Sequence, residues 1–449
     1  MKLAATRLTA IGLAIWLAES GGHAGTELTT LASFDGANGE APLMLLQASD
    51  GSLYGTTASG GTSSNGSPAN GVIFKLTMEG ELSNLVTFEG DSGSPGFMLR
   101  AVDQSYYGTL GFGPSNSSGA LFKLNPDGTR TNYNPVSFSG TNGIHPISLV
   151  EDHAGNLYGV TQFGGEGSGL GFGTVFRIDT NSVFTTVARF NGTNGDSPVS
   201  LILGADGIFY GLTQQGGDAN QGTMFRVTPD GNLSALFSFQ GTNGYIPQWL
   251  VQGSDGNLYG TTLVGGIGHG SLFKMTTEGV LLWAFLFNGP NGSQPNVIMQ
   301  SVDGNLYGTT DRGGDGYGTV FRITPNGDFT SMVSFDGANG SSPFFLMTGA
   351  DGNLYGTTWG GGANGLGTVF RLSIPMSPVF QKPIQTNGSL VMTWSAVAGQ
   401  SYQLQFNSDS SSTNWINLGG PIVATNGMMS ATDPIGTDGR RWYRVALLP

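Results

Sequence analysis

The sequence has no cysteine, four histidines, and charged side chains at only 10% of its 449 positions. Without cysteine no disulfide framework can staple the fold, so stability must come from packed secondary structure. One histidine, His23, lies in the N-terminal leader, and no pair has metal-ligand spacing, so neither a metal nor a cofactor is expected. Basic residues number 17 against 30 acidic ones, a net charge of −13, which argues against nucleic acid or an anionic membrane surface as the main partner. Long apolar runs are missing as well. The run Leu8–Ala18 is far shorter than the roughly 20 residues that a bilayer-spanning helix needs. Ser-His-Asp, P-loop and dinucleotide motifs are absent, and the many Gly-x-Gly fragments precede no helical pattern.

What is present in excess is glycine, 76 residues, together with 20 prolines. These residues recur at fixed offsets among β-branched and aromatic residues, which indicates a turn-dense all-β chain rather than a disordered one. The organising stretch is Asp303-Gly304-Asn305-Leu306-Tyr307-Gly308-Thr309-Thr310, repeated almost letter for letter from Asp255 and from Asp351. Looser versions place equivalent tyrosines at 54, 107, 158 and 210, making seven copies at a spacing typical of propellers and other repeat arrays. Each repeat reads as four short strands: a proline-led apolar run, the Leu-Tyr-Gly-Thr-Thr strand, a strand of the form Gly-x-(apolar)-Phe-(Lys/Arg), and a strand ending in phenylalanine before a Phe-x-Gly-x-Asn-Gly loop. Asp-Gly and Asn-Gly turns accept the positive φ of tight hairpins, so successive strands pair antiparallel.

The expected architecture is a seven-bladed β-propeller over 25–373. The first fragment, Leu28–Phe34, supplies only a fourth strand and the last repeat, ending at Gly367–Leu372, lacks one, so pairing the two closes the ring by the N-terminal strand. Met1–Ala24 reads as a secretory signal, with Lys2 and Arg7 ahead of the apolar run and Gly22-His23-Ala24 as the cleavage site. Residues 374–378 read as a linker. The alternating runs of 379–449 suggest a small immunoglobulin- or fibronectin-like β-sandwich, with three of the seven tryptophans in its core.

The repeat unit, from its proline through Asp-Gly-Asn-Leu-Tyr-Gly-Thr-Thr and Gly-Thr-Val-Phe-Arg to Phe-x-Gly-x-Asn-Gly, resembles that of the GloVer tandem-repeat proteins of bacteria over roughly 28–373. It is also similar in outline to the NHL repeat, from which it departs by Gly-Thr-Thr where that unit carries Val-Ala-Asp. The GloVer resemblance implies a secreted or surface protein. The C-terminal anchors found in that family are not matched by Tyr443–Pro449. Neither resemblance brings a catalytic residue or ligand with it.

Antiparallel connections alternate between two faces, so the Gly-Gly loops and the Phe-x-Gly-x-Asn-Gly loops share one of them. Its longer, variable loops make it the better binding face. Candidate ligand-binding residues there are those that break the repeat: His145, Tyr245, His269, Asp315, Tyr317 and Trp359. Turn formation accounts for the recurring aspartates Asp50, Asp206, Asp255, Asp303 and Asp351, and the regular Lys or Arg after the strand phenylalanine reads as a blade-edge charge or a partner of a nearby carboxylate. The expectation is a secreted, monomeric, non-enzymatic module for a protein or glycan ligand. The alternative is a propeller hydrolase or lyase acting on polysaccharide through Asp315 and His269.

Overall fold

The computed structural model describes residues 26–448 apart from 91–92, 112–117, 132–136, 166–170, 267, 375–380, 382, 387–388, 397–399, 409–413, 426–427 and 435–440. The expected leader and all but the first residue of the expected linker lie outside the described residues. Among the described residues the protein is all-β, with no α-helix. Contacts divide the described chain into two compact units: Leu28–Met347 with Leu354–Leu372, and one built mainly from the described residues from Ser373 on, with Thr348–Asn353.

Seven four-stranded sheets account for the repeats. The sixth is representative: Ser293–Gln300, Leu306–Arg312, Thr319–Ile323 and Phe329–Ser334, paired in chain order. In the seventh sheet the fourth place, beside Thr368–Ser373, is taken by the N-terminal strand Glu27–Ser33.

Most letters of the repeated motif have a structural cause. Asp303 caps its own turn, accepting from the Asn305 N–H at 3.0 Å and from the Tyr307 hydroxyl at 2.8 Å. Asp206 and Asp255 accept the Tyr210 and Tyr259 hydroxyls in the same way. The basic residue of the third strand completes several of these turns: Lys75, Lys123 and Lys274 pair with Asp50, Asp103 and Asp255 at 2.8, 3.1 and 2.9 Å. The glycine after tyrosine is obligatory, because a Cβ on Gly308 would stand 2.4 Å from the ring of Phe321. The first threonine joins sheets. Thr56, Thr261 and Thr309 donate to the carbonyls of Gly96, Asn296 and Phe344 in the following sheet, and Thr357 donates to Leu43 of the first, 314 residues away. The second closes its own hairpin: Thr310 Oγ1 donates to Arg312 O and accepts from the Thr319 N–H, fully buried.

Packing between sheets repeats as regularly. The phenylalanine ending each fourth strand lies at an angle against the third-strand phenylalanine of the next sheet, as Phe190 does on Phe225 with centroids 4.9 Å apart. Phe34, just past the N-terminal strand, makes the same contact with Phe74 of the first sheet at 5.2 Å. These pairs are fully buried and anchor the apolar clusters between sheets.

In the second unit, Ile384–Thr386, Ser389–Ser395 and Met428–Pro434 form one sheet. The strands Ile416–Asn417, Ile422–Val423 and Trp442–Leu448 pair with Ser401–Asn407 in another. Alternate side chains of both sheets, including Met392, Trp394, Tyr402, Leu404 and Tyr443, share one core. Asp433 is buried there, held by Arg441 at 2.7 Å and by the Tyr443 hydroxyl at 2.6 Å.

Candidate functional site

The two loop families of the repeats do meet on one face, since the Gly-Gly loop folds back onto the Phe-x-Gly-x-Asn-Gly loop. Gly61, Gly217 and Gly362 donate their N–H groups to Gly36, Gly192 and Gly337 at 2.7, 2.9 and 2.9 Å. In five of the seven sheets the residue before the third-strand glycine covers a glycine of that second loop; Gly90 and Gly140 are not covered in this way. The rings of Phe172, His269 and Tyr317 reach within 3.2, 3.3 and 3.1 Å of where a Cβ on Gly192, Gly289 and Gly337 would stand. His269 and Tyr317 therefore occupy one repeat-equivalent position, and each backbone carbonyl accepts an N–H from the next sheet, from Gln294 and Ser342, at 2.8 Å. His269 also contacts Ser293 Oγ through Nδ1 at 3.0 Å. Their different side chains decorate a position whose backbone is architectural. Tyr245 opens the first strand of the fifth sheet, half-buried, while Asp315 is exposed in the Gly-Gly loop of the sixth.

His145 and Trp359 relate to a cavity in different ways. A cavity of about 460 Å³ opens among the leading ends of the first strands, lined by residues of the first, second, third, fifth and seventh sheets. His145 is part of its wall, as is Phe344, against which Trp359 packs edge-on with centroids 5.8 Å apart. Trp359 itself is 47% exposed. The wall is mostly apolar, from Leu43, Phe97, Ile147, Trp249 and Phe344.

The repeat explains why a cavity exists at this place. After the strand proline the seven sheets carry Leu43, Gly96, Ile147, Val199, Gln248, Asn296 and Phe344, and after the second threonine position Ala58, Gly111, Gln162, Gln214, Leu263, Asp311 and Trp359. At both positions the second sheet alone has glycine. Neither glycine is among those with positive φ. A Cβ on Gly111 would meet His145 Nε2 at 3.5 Å, an ordinary contact, and one on Gly96 would be tight only against Thr109 Oγ1 at 3.0 Å. Most glycines here are demanded by backbone or packing; these two leave space.

The residue preceding the strand proline adopts the left-handed conformation in six sheets, among them Ala41 (φ 53°), His145 (φ 61°) and Ile246 (φ 56°). That conformation is costly for a non-glycine residue, and more so before proline. Its recurrence identifies it as a feature of the scaffold: the N–H of Ala41, His145 and Ile246 reaches the carbonyl of Leu366, Ser118 and Gln221 in the preceding sheet. At His145 it also fixes the ring at the cavity wall, where Nδ1 lies 2.8 Å from Gln162 Oε1. Burial lowers the imidazole pKa below its ordinary 6.5, with the Gln162 contact opposing, so the ring is neutral at pH 7. Among the described residues no carboxylate or other ionisable side chain joins His145 in the wall. Among the described residues no group of three or more His, Asp or Glu could hold a metal.

Of the six residues singled out by sequence, the structure puts His145 in the wall of this cavity and Trp359 behind it, against the wall residue Phe344, and leaves Tyr245, His269, Asp315 and Tyr317 elsewhere. Sequence reasoning missed Gly96, Gly111, Ile147, Trp249 and Phe344. The available signal was the pair of glycines at columns filled by larger side chains in nearly every other repeat.

The profile of the Gloeobacter/Verrucomicrobia repeat family matches residues 62–250 and, overlapping, 200–389; the chain belongs to that family. None of the curated proteins matches it by sequence. Among solved structures it is similar to the extracellular domain of BT4673 from B. thetaiotaomicron, at 12% identity and TM-score 0.51, over 91% of this chain and 56% of that one. PorZ, a surface component of the type-IX secretion system of Porphyromonas gingivalis, matches at 13% identity and TM-score 0.49, over 91% and 57%. The aldose sugar dehydrogenase of Streptomyces coelicolor matches at 16% and 0.42, over 78% and 98%. The chain thus spans little over half the length of the first two. At such identities the likeness concerns the propeller-like fold alone, and no helix among the described residues is long and apolar enough to cross a membrane.

Proposed function

We propose that this member of the Gloeobacter/Verrucomicrobia repeat family is a secreted, monomeric binding protein that receives a protein or glycan ligand on its loop face, at the cavity among the first strands. In this reading the seven sheets are the blades of a closed propeller over 25–373, the strand Glu27–Ser33 completes the last blade, residues 374–378 are a linker, and 379–449 form an immunoglobulin- or fibronectin-like sandwich. Export follows from the leader-like Met1–Ala24. Support for closure comes from contacts that join the last sheet to the first as they join other neighbours: Thr357 to Leu43, and Phe34 to Phe74.

One observation carries the binding role. The cavity stands where two glycines that the backbone does not require replace side chains, and a mostly apolar hollow with a few polar groups is what small ligands and anchoring side chains occupy. The test is an array of glycans and cell-surface proteins probed with the full chain and with Gly111→Leu, which restores the side chain that Leu263 supplies in the fifth sheet. Binding by the wild type and its loss in the variant, with thermal unfolding unchanged, supports the reading. Ligands that bind both proteins equally would move the function elsewhere.

A further inference from the structure

Resting on that reading of the cavity, we infer that what enters it is an uncharged, ring-bearing apolar group, and that a sugar cannot be the part of the ligand seated there. Two features of the wall lead to this.

The first is its polar capacity. Sugars carry a hydroxyl on nearly every carbon, and each one buried without a partner costs free energy. Among the described residues the polar side chains of the wall are Ser94, Thr109 and His145, and two are already engaged by the fold. Thr109 Oγ1 accepts the Phe97 N–H at 3.0 Å, and His145 Nδ1 faces Gln162 at 2.8 Å. With no ionised group in the wall among the described residues, a charged ligand would also enter without a counter-charge there.

The second is the arrangement of rings. Phe97, Trp249 and Phe344 are half-buried in the wall. Two of them are braced from behind or beside by other rings: Trp249 meets Phe345 at 6.0 Å and 75°, and Phe344 meets Trp359 at 5.8 Å and 65°. Edge-to-face bracing holds each ring at a fixed angle, so an incoming ring finds a rigid aromatic surface and loses little freedom beyond its own. A cavity of about 460 Å³ has room for more than one fused ring. The ring can belong to a free molecule or to an aromatic side chain of a partner protein; the seated chemistry is the same.

The experiment is ligand-observed NMR on the full chain, with indole, the capped peptide Gly-Gly-Trp-Gly-Gly and a glucose oligosaccharide as probes, in wild type and Gly111→Leu. Indole is expected to bind with Kd on the order of 1 mM, fragment-like, and to weaken ~10-fold or more in the variant. A peptide that binds tighter than indole assigns the ring to a partner protein; indole binding without the peptide assigns it to a free molecule. If the oligosaccharide binds in a Gly111-dependent manner and indole does not, the ligand class is overturned and the site stands. If no probe responds to Gly111→Leu, both the ligand class and the site fall.

Discussion

Replacing Thr310 by valine removes one hydroxyl and leaves shape and volume nearly unchanged, so no cavity contribution blurs the result. That hydroxyl donates to Arg312 O at 2.9 Å, contacts Thr319 Oγ1 at 2.8 Å and accepts the Thr319 N–H at 3.1 Å, with Thr310 and Thr319 both fully buried. Valine strands the Thr319 N–H in the interior, a loss of about 1–3 kcal/mol, and removes bonds whose net worth is about 0.5–1.5 kcal/mol each. Arg312 lies at an exposed strand end, where water can satisfy its carbonyl, so the expected destabilisation is about 2–4 kcal/mol. Thr309→Val is the internal comparison. It loses a single bond, to Phe344 O at 3.3 Å, and is expected to cost about 0.5–1.5 kcal/mol. Thr310→Ser keeps the oxygen and should recover most of the loss. Because the chain holds two compact units, the measurement should be local: urea titration followed by hydrogen exchange over 306–323, read as the opening free energy of that hairpin. A Thr310→Val value within about 0.5 kcal/mol of wild type, or no larger than that of Thr309→Val, would refute the assignment of the second threonine as a hairpin lock.

Two further predictions concern the turns and the seam. Burial alone would raise the pKa of Asp255, but Lys274, Asn257 and Tyr259 outweigh it and hold the carboxyl well below its ordinary 3.8. Its contribution is therefore present above about pH 4 and disappears as pH falls through the folded-state value, so Asp255→Asn should lower stability by about 1 kcal/mol at pH 7 and flatten the acid limb of the stability profile. An acid limb as steep as that of wild type would contradict this. At the junction of last and first sheets, Phe34→Ala should destabilise by about 3–5 kcal/mol, matching Phe190→Ala at an internal junction. A much smaller loss at Phe34, measured by thermal unfolding, would mean that the seam contributes less than the other contacts.

Much of this architecture could be read from the letters alone, because the repeat states it seven times. Each repeat but the last supplies one four-stranded sheet, the last being completed by Glu27–Ser33, and Asp-Gly, Tyr-Gly and Thr-Thr each fix a turn, a close approach or a bond that local spacing already implies. The cavity was harder to foresee. It depends on two missing side chains, Gly96 and Gly111, in a chain with 76 glycines, and nothing local separates a glycine that leaves room from one that the backbone needs. His269 and Tyr317 misled for the opposite reason. They look exceptional by identity, yet they share with Phe172 and Leu366 the position before the third-strand glycine, and the packing over the loop glycine shows what that position does. The fifth sheet adds a difference of register: its last hairpin bulges between Lys274 and Met275 rather than between the second and third residues of the strand, as it does in the sixth between Val320 and Phe321.

The strand Glu27–Ser33 has a temporal meaning. Its partner strand begins at Thr368, and the Asn364 side chain that grips Phe34 O at 2.9 Å is 330 residues downstream. At ordinary rates of synthesis, about 5–20 residues per second, that interval is roughly 20–70 s. Throughout it Glu27–Ser33 lacks its partner strand, so a nascent or truncated chain keeps unpaired ladder groups of the kind that proteases and chaperones recognise. An early strand thus finds its place only once Thr368–Ser373, about 340 residues later, has been made.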